Sequence, residues 1–217
     1  MYVILTAPMS SFALRLSRRV LLSSRHARCF ASSKTGAGFS YPGARSLEQI
    51  VKMELLESEQ APKIRNIWEE FHADKDDAVA TTLDVSEFQS LVKRAEAAPY
   101  FIFPVYRQEG FFNMLCQFQQ SCFLITYLEA FKENPSAAPP CVAISLYDDL
   151  LTKKELALVR ADVINMLDKK ESQLLLKQLL ASYQDDQLYD HVDKFNNKPD
   201  HFDFEAYRVM LQEATTA

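Results

Sequence analysis

The chain has 217 residues, 48% of them hydrophobic and 24% charged, with a formal net charge of −5. Residues 1–40 contain six basic residues and no acidic one, which leaves 18 basic against 29 acidic residues in the rest of the chain. A body that acidic repels phosphate backbones and anionic membrane surfaces, so we expect no nucleic-acid partner. No stretch approaches the roughly 18 apolar residues of a membrane-spanning helix, so we expect no membrane insertion.

The N-terminal segment has the composition of a mitochondrial transit peptide, rich in arginine, serine and leucine and free of acids. Arg28 is the third residue before the bond that follows Phe30, a spacing that resembles the cleavage sites of matrix proteases. We therefore predict a transit peptide over residues 1–30, a flexible linker over 31–44 and a single domain over 45–217, located in the mitochondrial matrix. The alternative is a disordered cytosolic tail.

The segment before residue 100 predicts helices and one short strand. A helix with Pro62 in its first turn carries one apolar stripe at i, i+3, i+4 and i+7, formed by Ile64, Ile67, Trp68 and Phe71. Residues 79–83 predict a strand. Asp84 and Glu87 have the spacing of a capping box for the following helix, which ends at Pro99.

Residues 100–131 form the densest apolar segment and hold ten of the 25 aromatic residues. Apolar residues recur there at every second position, as in Phe112, Met114, Cys116 and Phe118. The segment predicts three antiparallel strands, with turns at residues 109–110 and 119–120. Both faces of the last strand are largely apolar, so we expect helices to cover one face and a partner to cover part of the other.

The remaining segments complete an α+β pattern. Residues 141–146 and 156–161 predict two further strands, and residues 168–171 contain a second capping box that opens a helix. Shorter helices are predicted at 186–195 and 204–211. Because helices precede and follow one run of strands, we predict an α+β fold with a mainly antiparallel sheet of about five to six strands flanked by N- and C-terminal helices.

Familiar catalytic and cofactor motifs are absent from the sequence. Gly110 is the only glycine after residue 43, whereas phosphate-cradling loops need several glycines close together. There is also no G-x-S-x-G nucleophile elbow. We therefore expect no cofactor and no catalytic activity.

The histidines and cysteines give weaker signals. His191 and His201 are each flanked by acids, which allows metal ligation or a small hydrolase site as an alternative, although their spacing matches no metal motif. Cysteines 116, 122 and 141 show no C-x-x-C spacing, which predicts reduced, buried thiols. We expect no metal site.

The order and spacing of residues across 45–205 resemble the mitochondrial F-type ATP synthase assembly factor family, the chaperones of the β subunit of the catalytic head. The resemblance rests on Ser46, Leu47, Ile50, Val51, Lys52, Glu54, Leu55, Leu56, Ile64, Ile67, Trp68, Phe71, His72, Pro99, Tyr100, Phe101, Arg107, Glu109, Gly110, Gln117, Phe195, Asn196, Pro199 and Phe202. One departure is Phe118, where the family pattern has a tryptophan.

The resemblance implies a monomeric matrix chaperone. It would bind the unassembled ATP synthase β subunit and shield its apolar interface until the α subunit replaces it. The candidate partner-binding residues are Trp68, Phe71, Arg107, Glu109, Asn196, Pro199 and Phe202. From the residues alone, Arg107 and Glu109 form either a local charge pair beside the turn or a charged hairpin tip that faces a protein partner. An interaction subunit of another matrix complex is a third hypothesis.

Overall fold

The computed structural model describes residues 45–108 and 110–216, and in these the centre is a six-stranded antiparallel sheet. The strands are β1 (Ala78–Asp84), β2 (Tyr100–Arg107), β3 (Gly110–Gln119), β4 (Cys122–Tyr127), β5 (Pro140–Tyr147) and β6 (Leu156–Val163). Their spatial order is β1-β6-β5-β4-β3-β2, so β1 and β2 are the two edges. The predicted transit peptide and linker lie outside the described residues.

Eight α-helices surround the sheet in the described part of the chain. They are α1 (Met53–Glu57), α2 (Ala61–Ala73), α3 (Val85–Ala97), α4 (Leu128–Glu133), α5 (Leu151–Lys154), α6 (Lys169–Gln184), α7 (Asp186–Asn197) and α8 (Phe204–Thr216). Short 3-10 turns cover Leu47–Gln49 and Pro199–His201. The predicted α+β fold with helices before and after the sheet is confirmed.

Two capping boxes begin helices where the sequence predicts them. At α3, the backbone N–H of Glu87 donates to Asp84 Oδ1 at 2.8 Å, and the Asp84 N–H donates to Glu87 Oε2 at 2.8 Å. At α6, the corresponding distances between Glu171 and Asp168 are 2.8 and 3.0 Å. Each box satisfies two backbone groups that a helix N-terminus otherwise leaves unpaired.

Both turns of the aromatic segment lie one residue away from their predicted positions. Arg107 pairs with Gly110, so Gly110 begins β3, with φ of 149°, instead of lying in the turn. Gln120 and Ser121, with φ of 48° and 60°, connect β3 to β4. Two consecutive positive φ values are those of a type I′ turn, which matches the right-handed twist of a hairpin even without glycine.

The predicted third strand stops before its expected end. Residues 128–133 form helix α4, although the sequence predicts that the three-stranded segment extends to residue 131. The segment LEAFKE contains strong helix formers, and Lys132 Nζ lies 2.8 Å from Glu129 Oε1 one turn away. The segment between the strands predicted at 141–146 and 156–161 likewise contains a helix, α5, and Glu155 after it adopts a left-handed conformation.

The first face of the sheet carries the larger hydrophobic core. Strand register places on this face the buried residues Phe101, Phe103, Met114, Cys116, Phe123, Ile125, Val142, Ile144, Val159 and Ala161. They form one cluster with buried side chains of α3, α6, α7 and α8, including Leu91, Leu179, Phe195 and Tyr207. The expectation that helices cover one face is confirmed.

The second face is covered over β1, β5 and β6 by a smaller core. Ile64 and Trp68 of α2 cluster there with Leu156 and Leu158 of β6 and with Leu47 and Leu56 from the N-terminal turns. Helix α4 packs against β3 and β4, and its Leu128 shares a buried cluster with Ile102 and Leu115 of this face. The chain's own helices therefore cover much of the face that we expected a partner to cover.

Candidate partner-binding surface

The structure does not bring the predicted contact residues together. Trp68 and Phe71 lie on α2, and Arg107 is the last residue of β2. Asn196 lies near the end of α7, and Pro199 and Phe202 follow that helix. Glu109 lies outside the described residues. Exposure and contacts separate the six described candidates into core residues and surface residues.

Trp68 belongs to the core. Its side chain is 0% exposed, and its Nε1 donates to the Val159 carbonyl oxygen at 3.1 Å. The ring meets His72 edge-on with a centroid distance of 4.3 Å. The apolar stripe of α2 was predicted correctly, and Ile64 and Trp68 are its fully buried members.

Phe71 lies at the outer margin of the same helix and is 41% exposed. Lys75 Nζ lies 3.2 Å from the centroid of its ring, a cation–π contact. Beside it, His72 is 2% exposed, and its Nδ1 lies 2.8 Å from the Trp68 carbonyl oxygen. Because a carbonyl only accepts, Nδ1 carries the proton, and burial lowers the pKa of His72.

Asn196 and Phe202 hold the C-terminal helices against the β2 edge. Asn196 Oδ1 accepts from the Tyr100 N–H at 3.0 Å, while Nδ2 donates to the Tyr100 carbonyl at 2.6 Å. The Phe202 ring packs at centroid distances of 5.9 Å from Phe101 and 5.2 Å from Phe195. Pro199 begins the 3-10 turn between them and is half-buried. These contacts give Asn196 and Phe202 a structural role.

Arg107 remains at the surface and joins β2 to the start of α6. Its Nε and Nη2 donate to the two carboxylate oxygens of Glu171 at 2.6 and 3.0 Å, and Nη2 also donates to the Met166 carbonyl at 2.9 Å. The guanidinium carbon lies 4.9 Å from the centroid of the Phe112 ring. Hydrogen bonding between the partners raises the pKa of Arg107 and lowers the pKa of Glu171. The pair is therefore fully ionised at neutral pH.

Aromatic and cationic side chains lie at the end of the hairpin in two groups, one around Arg107 and one around Phe111. Phe111 is 42% exposed, and its ring lies 5.7 Å from Tyr106 and 6.0 Å from Phe204 between centroids. The guanidinium carbon of Arg208 lies 5.4 Å from the Phe111 centroid. Met166, beside Arg107, is 42% exposed. We call this the hairpin-tip surface, formed by Arg107, Phe111, Phe112, Met166, Phe204 and Arg208.

The sequence predicted Arg107 as a contact residue but did not indicate Phe111, Met166 or Arg208. Phe111 and Phe112 are adjacent in a strand, so their side chains point to opposite faces, and the apolar pattern alone does not show which one is exposed. The available signal was position: Phe111 follows Gly110 directly after a turn, where a sheet is covered least. Met166 and Arg208 come from distant segments, and only the fold brings them close.

The two histidines of the hydrolase alternative lie in different surroundings. His191 is 9% exposed and packs 5.8 Å from the Tyr207 ring, and burial lowers its pKa. His201 is exposed in the 3-10 turn after α7. Within residues 45–108 and 110–216, no group of three His, Cys, Asp or Glu side chains is placed to hold a metal ion.

The three cysteines of the described chain are free and buried. Strand register places Cys116 and Cys122 on opposite faces of the sheet, so the two thiols cannot pair within it. Burial raises the pKa of all three thiols, to about 11 for Cys122. They are therefore protonated at neutral pH and are poor nucleophiles.

The fold and this surface define an α+β protein that presents an aromatic, arginine-bearing hairpin tip. In the described part of the chain, every helix is too short or too polar to cross a membrane. The model of the ATP11 protein family matches residues 22–207. The chain belongs to the ATP11 family.

Curated relatives agree with this assignment. The chain is 24% identical over 187 residues to "ATP synthase mitochondrial F1 complex assembly factor 1" of Homo sapiens, covering 85% of this chain and 57% of the relative. The protein of the same name from Mus musculus is 22% identical over 173 residues, covering 78% and 53%. The Danio rerio protein is also 22% identical, covering 78% and 57%. The chain thus spans a little over half the length of these relatives.

Proposed function

We propose that this protein is a mitochondrial matrix chaperone for assembly of the F1 head of ATP synthase. It binds the unassembled β subunit and shields its apolar interface until the α subunit replaces it. The observation that carries the proposal is membership of the ATP11 family, together with relatives named as F1 complex assembly factors. The acid-free N-terminal segment supports import into mitochondria.

The physical demands of this role fit the hairpin-tip surface. An unassembled subunit of an obligate oligomer exposes a large apolar interface that promotes aggregation. A protein that shields it needs complementary apolar surface but must also be displaceable. Phe111 and Met166 are each 42% exposed, with Arg208 beside Phe111 and Arg107 beside Met166. Aromatic residues and arginine are enriched among residues that dominate binding energy.

The modest size of this surface suits transient binding. An aromatic side chain buries about 150–250 Å² when fully covered, whereas a stable interface buries about 1,600 Å² in total. The hairpin tip therefore serves as an anchor within a larger contact. The α subunit, which contributes a full obligate interface, can replace it without energy from nucleotide hydrolysis by this protein.

Affinity capture from mitochondrial matrix extract tests the proposal. The full-length protein should recover β subunit that is free of α. Cells that lack the protein should accumulate aggregated β subunit and should contain less of the assembled F1 head. Normal assembly in such cells, with no free β subunit captured, would contradict the proposal. Stable recovery with a different mature complex would favour the interaction-subunit hypothesis instead.

A further inference from the structure

The two edges of the sheet differ in whether their outward-facing backbone groups have hydrogen-bond partners. At the β2 edge, the Phe118 N–H donates to the Pro99 carbonyl at 2.7 Å, so odd-numbered residues of this segment face β3 with their backbone groups. Because the backbone groups of an antiparallel strand alternate in direction, those of the even-numbered residues from Tyr100 to Tyr106 face outward. Asn196 pairs with both outward groups of Tyr100. Pro104 has no N–H to offer at its outward position. The β2 edge is therefore blocked against an additional strand.

The β1 edge lacks these protections. The Val163 N–H donates to the Asp77 carbonyl at 2.9 Å, so the odd-numbered residues of β1 form the backbone hydrogen bonds to β6. The even-numbered Ala78, Ala80 and Thr82 therefore direct their backbone N–H and carbonyl groups outward. Within residues 45–108 and 110–216, the outward backbone groups of Ala80 and Thr82 have no hydrogen-bond partner. β1 contains no proline, and Ala80 to Thr82 are half-buried rather than covered.

A groove of about 490 Å³ runs beside this edge, between β1 and α6. Val79 and Thr81 line one wall, and Leu174 and Leu180 of α6 line the other. Leu174 is 40% exposed although it is a large apolar residue. An extended peptide on β1 would therefore pair with free backbone groups and place alternate side chains against apolar residues of the groove.

The charge of the groove is opposite to that of the surrounding protein. Its ionisable lining residues in the described part of the chain are Lys170 and Lys177, whereas residues 41–217 hold 18 basic against 29 acidic residues. The two lysines are seven positions apart on α6, which places them on the same side of the helix. This arrangement favours a segment in which apolar residues alternate and at least one acidic residue is present.

We propose that β1 binds an extended, apolar and acidic segment of the unassembled β subunit as a seventh strand of the sheet. This inference rests on the proposed function, and it adds a second contact site separate from the hairpin tip. The blocked β2 edge directs strand addition to one side, so that the protein does not polymerise through both edges.

Hydrogen–deuterium exchange of the full-length protein, with and without purified unassembled β subunit, tests the inference. The amides of Ala80 and Thr82 should exchange rapidly in the free protein and at least tenfold more slowly in the complex. Ala80→Pro removes an outward N–H without removing a β1–β6 hydrogen bond, and it should weaken β-subunit binding at least tenfold. The variant Lys170→Glu should also weaken it without touching the strand, and Lys52→Glu on another surface is the charge-matched control.

The outcomes separate the two proposals. If wild type binds the β subunit but neither amide gains protection, and both groove variants bind as wild type does, strand addition at β1 is wrong while the chaperone function stands. If wild type does not bind the β subunit at all, both proposals fail. Weaker binding by the groove variants and Lys52→Glu alike would show a general charge effect and would also overturn the β1 site.

Discussion

Asn196 pairs with the backbone of Tyr100 as a neighbouring strand would, accepting from its N–H at 3.0 Å and donating to its carbonyl at 2.6 Å. The same amide donates to the Val192 carbonyl at 2.8 Å, so it also closes the last turns of α7. One side chain thus joins the β2 edge to the C-terminal helices. The role of Asn196 that the structure supports is therefore structural.

Replacing Asn196 by Ala should lower the free energy of unfolding by about 1–3 kcal/mol, because two half-buried backbone groups of Tyr100 lose their partner. Urea denaturation followed by circular dichroism measures this change. Asn197→Ala is a matched control, since Asn197 donates only to the exposed Asp193 at 2.7 Å. It should change stability by less than about 0.5 kcal/mol. Equal effects of the two substitutions would contradict the assigned role.

Arg107 has both a structural and a proposed binding role, and two substitutions separate them. Arg107→Ala and Glu171→Gln each disrupt the ion pair, whose Arg107 side chain is 50% exposed, so each should lower stability only slightly. Only Arg107→Ala removes a cation from the hairpin-tip surface. We expect it alone to weaken β-subunit binding, at least tenfold in Kd by isothermal titration calorimetry. Equal losses of affinity would show that the ion pair acts only by positioning the tip.

Trp68→Phe should destabilise the protein without altering partner recognition. The substitution removes the hydrogen bond to the Val159 carbonyl and leaves space in a fully buried site, with an expected loss of about 1–3 kcal/mol. Thermal and urea unfolding by circular dichroism report the loss. At a temperature where both proteins are folded, the Kd for the β subunit should be unchanged. A variant of normal stability that fails to bind would identify Trp68 as a contact residue.

Stability should depend on pH through His72. Burial lowers its pKa in the folded protein below the value of about 6.5 in the unfolded chain. Below about pH 6.5 the unfolded chain therefore binds more protons at His72 than the folded protein does. The stability that the buried, neutral His72 contributes above that pH is lost as the pH falls toward the pKa of His72 in the folded protein. A single histidine contributes a slope of no more than about 1.4 kcal/mol per pH unit.

Urea unfolding between pH 7.5 and 5.5 measures that slope. His72→Asn keeps an N–H donor for the Trp68 carbonyl but does not titrate, so it should flatten the slope, with the buried His191 supplying the remainder. A slope in His72→Asn equal to that of wild type would contradict the burial effect.

Local signals predicted the elements well, because their causes lie within a few residues. Asp84 and Asp168 each have a glutamate three positions later, and each begins a helix. The turn at Gln120 and Ser121 was predicted one residue early, since neither residue is a glycine that marks a positive φ. Helix α4 was missed because its apolar residues continue the pattern of β4.

The candidate surface was less predictable, because exposure depends on contacts between distant segments. The stripe of α2 gave the same signal for Trp68 and Phe71, yet the sheet covers only the former. Asn196 is held by Tyr100, which is 96 positions away in the chain. Phe111 is 42% exposed although it packs beside Phe204 and Arg208 of α8, and no short sequence window contains that information.

The affinity of the full-length protein for purified unassembled β subunit tests the central claim most directly. We predict that the wild-type protein binds β and binds neither isolated α nor the assembled head. Phe111→Gln at the hairpin tip should weaken binding to β at least tenfold, while Leu55→Gln, at a 65% exposed apolar residue on α1, should not. Failure of the wild-type protein to bind β, or wild-type affinity in Phe111→Gln, would contradict this account.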